Sequence, residues 1–330
     1  MNIRKIRSRS LHQTEASKSP ASSETRFYDF FGKTYKTRNT FCSQDGVNYE
    51  QMPEKLHLPL TICPTSYCDA SCRFCIAKNT GKKESIDLKK LENTLERLKK
   101  ADAVSKVFIK GGEPFYDVGL LDDVLKIVFD IFGNSLYVSV TTNGNNLKRI
   151  YNIKTLENIN RIHISRHHYD DEVNNMIFGK KMISSDDIKQ IAGSFADDNL
   201  FVYNCMLLKD FINSTKEAHR FMNFAIDTCV KKVAFMSCVP INEYAEKQFV
   251  HFSEVFRKND PDILFTNGFC DYNFCRCISG IYLSPQAVSE AFYARYTNTE
   301  GCDYLRGFVF GTDNVLRSDF SGEIIETEER

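Results

Sequence analysis

The chain has 330 residues, with 43 basic and 43 acidic side chains and a formal charge of zero, which excludes the net basic field of a general nucleic-acid binder. Its 42% hydrophobic and 26% charged content is that of a globular protein and excludes disorder over most of its length. No apolar run is long enough to span a membrane and no apolar signal segment opens the chain, so the 12 cysteines are read as metal-binding or redox-active in a cytoplasmic protein, not as a disulfide framework.

In chain order, residues 1–25 read as a disordered, solvated tail. Arg4, Lys5, Arg7 and Arg9 with the Ser-rich stretch after them loosely resemble an organelle transit peptide, against which Glu15 and Glu24 count. Residues 26–56 form an aromatic lead-in (Phe27, Tyr28, Phe30, Phe31, Tyr35) expected to pack on the main domain. A βα rhythm follows. Strand-like runs are expected at 57–63, 105–110, 135–141, 160–165, 200–208 and 232–237. Between them, 87–100 places Leu88, Leu91, Leu95 and Leu98 at helical spacing, and 118–132 gathers Leu120, Leu121, Val124, Ile127 and Val128 on one face. Further helices are expected over 185–196, with Asp186 and Asp187 in the first turn where carboxylates suit the helix dipole, and over 215–228.

Strands alternating with helices imply an α/β fold with a parallel sheet, either open and doubly wound or an incomplete barrel, with chemistry at the carboxyl ends of the strands. The segment Cys68-Asp-Ala-Ser-Cys72-Arg-Phe-Cys75 directly follows the first strand. Three thiolates at these intervals can hold a [4Fe–4S] cube and leave its fourth iron open. The competing reading is a structural zinc knuckle with Cys63 as fourth ligand. Zinc sites usually show two CxxC-like pairs, and this loop shows none.

CxxxCxxC with the aromatic Phe74 before its last cysteine resembles the signature of the radical S-adenosylmethionine (SAM) superfamily. Gly111-Gly112-Glu113-Pro114, Thr141-Thr142-Asn143-Gly144 and His163-Ile-Ser165-Arg166 follow at the ends of the next strands. The first two resemble the family's GGEP and TTNG segments. The third, with the HHYDDEVNNMIFG run, resembles the loop of the GTP 3′,8-cyclases of molybdenum-cofactor biosynthesis.

The resemblance covers about 57–245 and implies a partial (β/α)6 barrel, a catalytic [4Fe–4S] cluster and SAM. It implies that Phe74 packs near the adenine, that Gly111–Pro114 line the SAM amino group, and that Ser165 contacts SAM. Thr142, Asn143, Arg166 (toward the SAM carboxylate) and Asn204 are further candidates. Adjacent His167 and His168 are read as a solvated loop, because neighbouring histidines point apart. Cys205 and Cys229 are read as core residues. Cys238 is a candidate hydrogen donor to a substrate radical, with a packed thiol as the alternative. The chain does not end in the Gly-Gly tail of those cyclases.

Residues 246–330 read as a small Cys-rich α+β module. Cys270, Cys275, Cys277 and Cys302 could hold an auxiliary [4Fe–4S] cluster; a zinc site or structural cysteines are the alternatives. Gly307–Gly311 and 315–322 read as a terminal hairpin over the bottom or mouth of the barrel. Tyr282, Phe292, Tyr293, Arg295 and Tyr296 read as either that module's core or a substrate face. The expected activity is hydrogen abstraction from a peptide of a biosynthetic pathway, or alternatively from a small metabolite or nucleotide. A flavodoxin or ferredoxin is expected as electron donor. A non-catalytic metal-binding protein is the competing class.

Overall fold

Each apolar run of the βα rhythm forms a strand because the amphipathic segment after it is long enough to carry the chain back over one face and start the next strand in parallel. The computed structural model describes residues 25–38, 58–76, 83–197, 199–257, 259–272, 275–286, 288–297, 305–318 and 322–326. The tail expected before residue 25 lies outside the described residues.

Strands β1 (Thr25–Phe30) and β2 (Lys33–Arg38) pair antiparallel. Tyr35 of β2 is buried in the main core, and Phe31 packs against that core with the Arg97 guanidinium over its ring. Through Tyr35 and Phe31 the hairpin β1–β2 packs on the main body, while Phe27 is exposed.

The main body runs β3 (Leu58–Ile62), α1 (Leu88–Lys100), β4 (Val104–Ile109), α2 (Val118–Phe132), β5 (Tyr137–Thr142), β6 (Arg161–Ser165), α3 (Asp171–Phe178), α4 (Ser185–Gly193), β7 (Phe201–Leu207), α5 (Thr215–Asp227) and β8 (Lys232–Ser237). Asp87, Asp117, Ser184 and Ser214 cap α1, α2, α4 and α5 by accepting backbone N–H groups of the first turn. Leu91, Leu95 and Leu98 of α1 are fully buried, each contributing roughly 1.5–3 kcal/mol. The helix α3 was not expected from the sequence. Its run DDEVNN is polar, but its Asp170 cap and the left-handed Gly179 at its end are the ordinary signs of a helix start and stop.

After β8 come α6 (Glu243–Lys247), α7 (Phe252–Val255), β9 (Ile263–Tyr272), β10 (Cys275–Leu283), β11 (Ser289–Thr297), β12 (Phe308–Phe310), β13 (Leu316–Arg317) and β14 (Ile324–Glu326). These strands form no sheet of their own. The order is β14-β13-β12-β3-β4-β5-β6-β7-β8-β11-β10-β9 in one open sheet. β11 adds to β8 and β12 to β3, both in parallel. The expected terminal hairpin exists as β12–β13, but it extends the sheet edge instead of covering the bottom or the mouth.

The sheet has two unlike faces. Val107, Ile109, Val138, Val140, Ile162, Ile164, Tyr203, Cys205, Val233 and Phe235 share one hydrophobic core with the helices. Strand alternation turns the residues between them to the opposite, concave face, where Val202, Ala234 and Tyr293 pack together. Tyr282 and Phe292 belong to the helix-side core, and Tyr296 packs on Phe249 and His251. Glu290 on β11 is wholly buried, with no hydrogen-bond partner for either carboxylate oxygen, and burial pushes its pKa up to about 9. No helix among the described residues is long and apolar enough to cross a membrane.

Candidate metal and cofactor site

The chain leaves β3 at Ile62 and enters the cysteine loop, which is fastened by Ser66 N–H to the Glu84 carbonyl (3.0 Å), Ile86 N–H to the Pro64 carbonyl (3.0 Å) and Glu113 N–H to the Tyr67 carbonyl (2.6 Å). None of the three signature cysteines forms a disulfide. Burial raises Cys68 to about 11 and Cys72 to about 12, and the neighbouring charges of Cys75 and Cys68 add to the rise at Cys72. Cys68 and Cys75 thus stand close enough to Cys72 for their charges to oppose its ionisation, an arrangement that a cationic iron centre relieves. Cys75 is the exposed member.

Cys63 follows β3 and is buried at the strand end against Gly111, where a Cβ would lie 2.6 Å from the Cys63 sulfur.

Gly111 and Gly112 both adopt positive φ (90° and 53°), and a Cβ on Gly112 would strike the carbonyls of Thr65 and Tyr67. Only glycine lets β4 end this close beneath the cysteine loop. Glu113 caps the 3₁₀ turn Pro114–Tyr116 by accepting Phe115 N–H at 2.9 Å. The same carboxylate accepts the Thr142 hydroxyl (2.5 Å) and Asn143 N–H (2.6 Å). Burial pushes Glu113 up to about 7, against those three donors. Thr142 is thereby committed: its side chain is buried on Glu113 and also accepts Gly144 N–H at 3.0 Å. The expectation that Thr142 reaches a ligand is corrected to a bracing role.

Asn143 reaches the motif itself. Its amide donates to Asp69 (2.7 Å) and toward the Cys68 sulfur (3.8 Å). Asp69 also accepts from Asn145 (2.7 Å) and Lys180 (2.8 Å). Burial works to raise its pKa, but Lys180, Asn145 and Asn143 together hold it below the usual range. Asp69 was missed from the sequence, where it read only as a spacer between Cys68 and Cys72. On the other flank Ser71 N–H donates to the Phe178 carbonyl at 3.0 Å, tying the loop to the end of α3.

At β6 the alternation is as expected: Ile162 and Ile164 are in the helix-side core, and His163 pairs with Asn204 (Nδ1 to Oδ1, 3.0 Å) on the concave face. Ser165 and Asn204 are register partners there. Arg166, one residue on, is turned the other way. It is 1% exposed, donates to the carbonyls of His168 (2.8 Å) and Tyr169 (3.3 Å), pairs with Asp171 and lies over Phe224. The assignment of Arg166 to the SAM carboxylate is therefore corrected; its charge holds the β6–α3 turn.

The solvated-loop reading of the two histidines is also overturned. His167 is buried between Phe74 (5.1 Å, edge-on) and Phe178 (4.8 Å, stacked), and its Nδ1 accepts Met206 N–H at 3.2 Å. Burial, helped by Arg166, pushes it down to about 3, so the ring is neutral. His168 is buried against Tyr169 and Phe211, its Nδ1 accepting Asp170 N–H. Phe74 packs with Ile177, Leu208, Ala245 and Cys238 beside Cys72. Cys238 is buried in that cluster, with burial raising its pKa to about 11. Cys205 lies in the helix-side core and Cys229 packs against it, as expected.

The C-terminal cysteines enter through the register. Cys277 pairs with Cys270 and with Arg295, Arg295 with Met236, and Met236 with Met206. This register row crosses the mouth end of the sheet, and Cys275, two residues before Cys277, opens β10. Cys302 lies outside the described residues.

Residues 62–222 match the model of the Radical SAM superfamily. A 127-residue stretch, 36% of this chain and 38% of the other, is 31% identical to a probable GTP 3′,8-cyclase of Thermococcus kodakarensis. Among solved structures, Streptococcus suis SuiB bound to its precursor peptide SuiA is similar over 83% of this chain and 64% of that one, with TM-score 0.55 and 16% identity. SuiB bound to S-adenosylmethionine gives the same values. The chain thus spans less than two thirds of either relative's length.

Proposed function

Residues 62–222 make this chain an enzyme of the radical SAM superfamily, which works with a [4Fe–4S] cluster and SAM, and from that premise we propose that it abstracts hydrogen from a peptide held on the concave face of the half-barrel. One observation carries the reading: three neighbouring thiols sit on a loop braced from below by Gly111–Glu113 and from the side by Asn143 and Asp69. Cys68, Cys72 and Cys75 would hold the cluster. The glycine backbone at 111–112, Glu113 and Pro114, with Asn143, Ser165 and Asn204, would line the SAM pocket, and Phe74 would close its apolar side. When bound, cluster and SAM together supply reductive cleavage of the sulfonium bond and a 5′-deoxyadenosyl radical able to take a hydrogen atom.

The protein's own residues orient and shield. Asn143 donates toward the Cys68 sulfur and fixes Asp69. Neutral His167 holds Phe74 against β7 and keeps water from the inner side of the loop. The exposed edge at Cys75 is where a flavodoxin or ferredoxin would deliver its electron. Buried Cys238, packed beside Phe74, would be the residue to return a hydrogen atom to a substrate radical. The row Cys270–Cys277 with Cys275 supports an auxiliary cluster completed by Cys302.

The peptide reading is supported by the fold shared with SuiB, which reaches past the matched domain to 83% of the chain. A small metabolite or nucleotide is the second reading, favoured by the stretch shared with the probable GTP 3′,8-cyclase. The test is anaerobic reconstitution with iron and sulfide, followed by reduction in the presence of SAM. The expected product is 5′-deoxyadenosine, absent with Cys72→Ala. Equal behaviour of the two proteins would overturn the enzyme reading.

A further inference from the structure

Asn143, just past the end of β5, is held from several sides. Its backbone N–H goes to Glu113 and its Oδ1 accepts Asn145 N–H at 2.8 Å. Its Nδ2 donates to Asp69 at 2.7 Å and toward the Cys68 sulfur at 3.8 Å. These partners leave the amide one orientation, since only its nitrogen can face a carboxylate and only its oxygen a backbone N–H. The left-handed Gly144 (φ 84°) turns the chain at this point.

Asp69 spreads its oxygens over three side chains. Oδ1 accepts Asn143, and Oδ2 accepts Asn145 (2.7 Å) and Lys180 (2.8 Å). The Asp69 side chain is 10% exposed and that of Lys180 38%. The end of α3 brings Lys180 there: the Ser71 N–H and hydroxyl both donate to the Phe178 carbonyl, and a Cβ on Gly179 would lie 2.4 Å from that hydroxyl.

Cys68 lies in the fields of two carboxylates, Glu113 and Asp69. A negative charge beside an iron–sulfur cluster makes it harder to reduce. Hydrogen bonds to a ligand sulfur act the other way, because they stabilise the charge that an added electron places on sulfur. Cys68 collects two such donors, the Ala70 N–H and the Asn143 amide. A bare carboxylate at position 69 would only repel the electron. Paired with Lys180 its charge is offset, and its Oδ1 aims the amide that also faces the sulfur.

We infer that Lys180, Asp69 and Asn143 form a relay that points one N–H at Cys68 and raises the reduction potential of the cluster held there. Lys180 and Asp69 are positioning residues, acting through Asn143. The inference rests on the radical SAM reading and adds to it which residues besides the cysteines govern entry of the electron.

The test is anaerobic potentiometric titration of the reconstituted holoenzyme, read by electron paramagnetic resonance on the signal that Cys72→Ala lacks. Asn143→Leu keeps the size of the side chain and removes its donor. Its midpoint should become more negative, so that the reduced fraction at a fixed potential falls by roughly threefold or more, about 28 mV for one electron. Lys180→Gln should move the midpoint the same way, Lys180→Arg should restore it, and Lys181→Gln, at the exposed neighbour, should leave it in place. Wild-type protein isotopically labelled in its asparagine side-chain amides should show a nitrogen coupling at the reduced cluster.

An unchanged midpoint in Asn143→Leu with the cluster bound, or no nitrogen coupling in the wild type, overturns the inference. Equal shifts in Lys181→Gln and Lys180→Gln overturn it too, because surface charge alone would then account for the effect. If Asn143→Leu holds no cluster, the Lys180 variants and the labelled wild type decide. Expected shifts in a wild-type background that forms no 5′-deoxyadenosine would sink the radical SAM reading and leave the relay standing. Normal 5′-deoxyadenosine formation without the shifts would sink the relay alone.

Discussion

Glu113 and Thr142 meet at 2.5 Å, carboxylate to hydroxyl, where both are fully buried. With Asn143 N–H on the second oxygen, one acid locks the ends of β4 and β5 together beneath the cysteine loop. In Glu113→Gln the amide NH₂ would replace one of those acceptors and face a donor. The variant should lose about 1–3 kcal/mol, read as a lowered midpoint in chemical unfolding of the apoprotein. An unchanged midpoint would mean that the lock is incidental.

Glu290 should make the fold less stable as pH rises. Its folded pKa, about 9, exceeds the ordinary 4.5, so the folded chain binds this proton more tightly than the unfolded one. The contribution is full below about 4.5 and is lost progressively toward about 9. Glu290→Met should raise stability at pH 8 by about 1–3 kcal/mol and flatten that slope, as measured by thermal unfolding across the range. A variant that is less stable at pH 8 would show that the carboxylate has a partner.

His167 accepts Met206 N–H just beyond the last rung of β6–β7. His167→Leu leaves that buried donor without an acceptor and should cost about 1–3 kcal/mol. Hydrogen exchange at the Met206 amide should accelerate more than at Tyr203, within the ladder. Equal acceleration would point to global destabilisation only.

A variant lacking Cys68, Cys72 and Cys75 separates the two cysteine groups. After anaerobic reconstitution it should keep about four irons per chain if Cys270, Cys275, Cys277 and Cys302 hold a cube of their own. Iron and sulfide analysis reading near zero would remove the auxiliary cluster.

The strands were legible because each combines an apolar run with a polar residue set at period two. Ile162, His163, Ile164 and Ser165 sort between the faces as alternation requires. The order of motifs at successive strand ends was legible for the same reason. Side-chain commitments were not. Thr142 and Arg166 look available in sequence, yet each is absorbed by a partner far off in the chain or across a turn, Glu113 and Asp171 respectively. His167 and His168 read as solvated because the run around them is polar. Their burial comes from α3, whose Phe178 packs on the ring, and that helix carries too few apolar residues to announce itself.

The addition of β12 to β3 has a consequence for how the chain is made. β3 is the first strand of the half-barrel to leave the ribosome, and its outer neighbour Phe308–Phe310 follows only after all the other strands from β4 to β11. Until then β3 presents an open hydrogen-bonding edge, and β8 waits in the same way for β11. Nascent or C-terminally truncated chains therefore expose both flanks of the sheet to other copies. These late-made strands act as a closing seal during synthesis, and a chain stopped after α7 should accumulate as aggregate rather than as a smaller folded core.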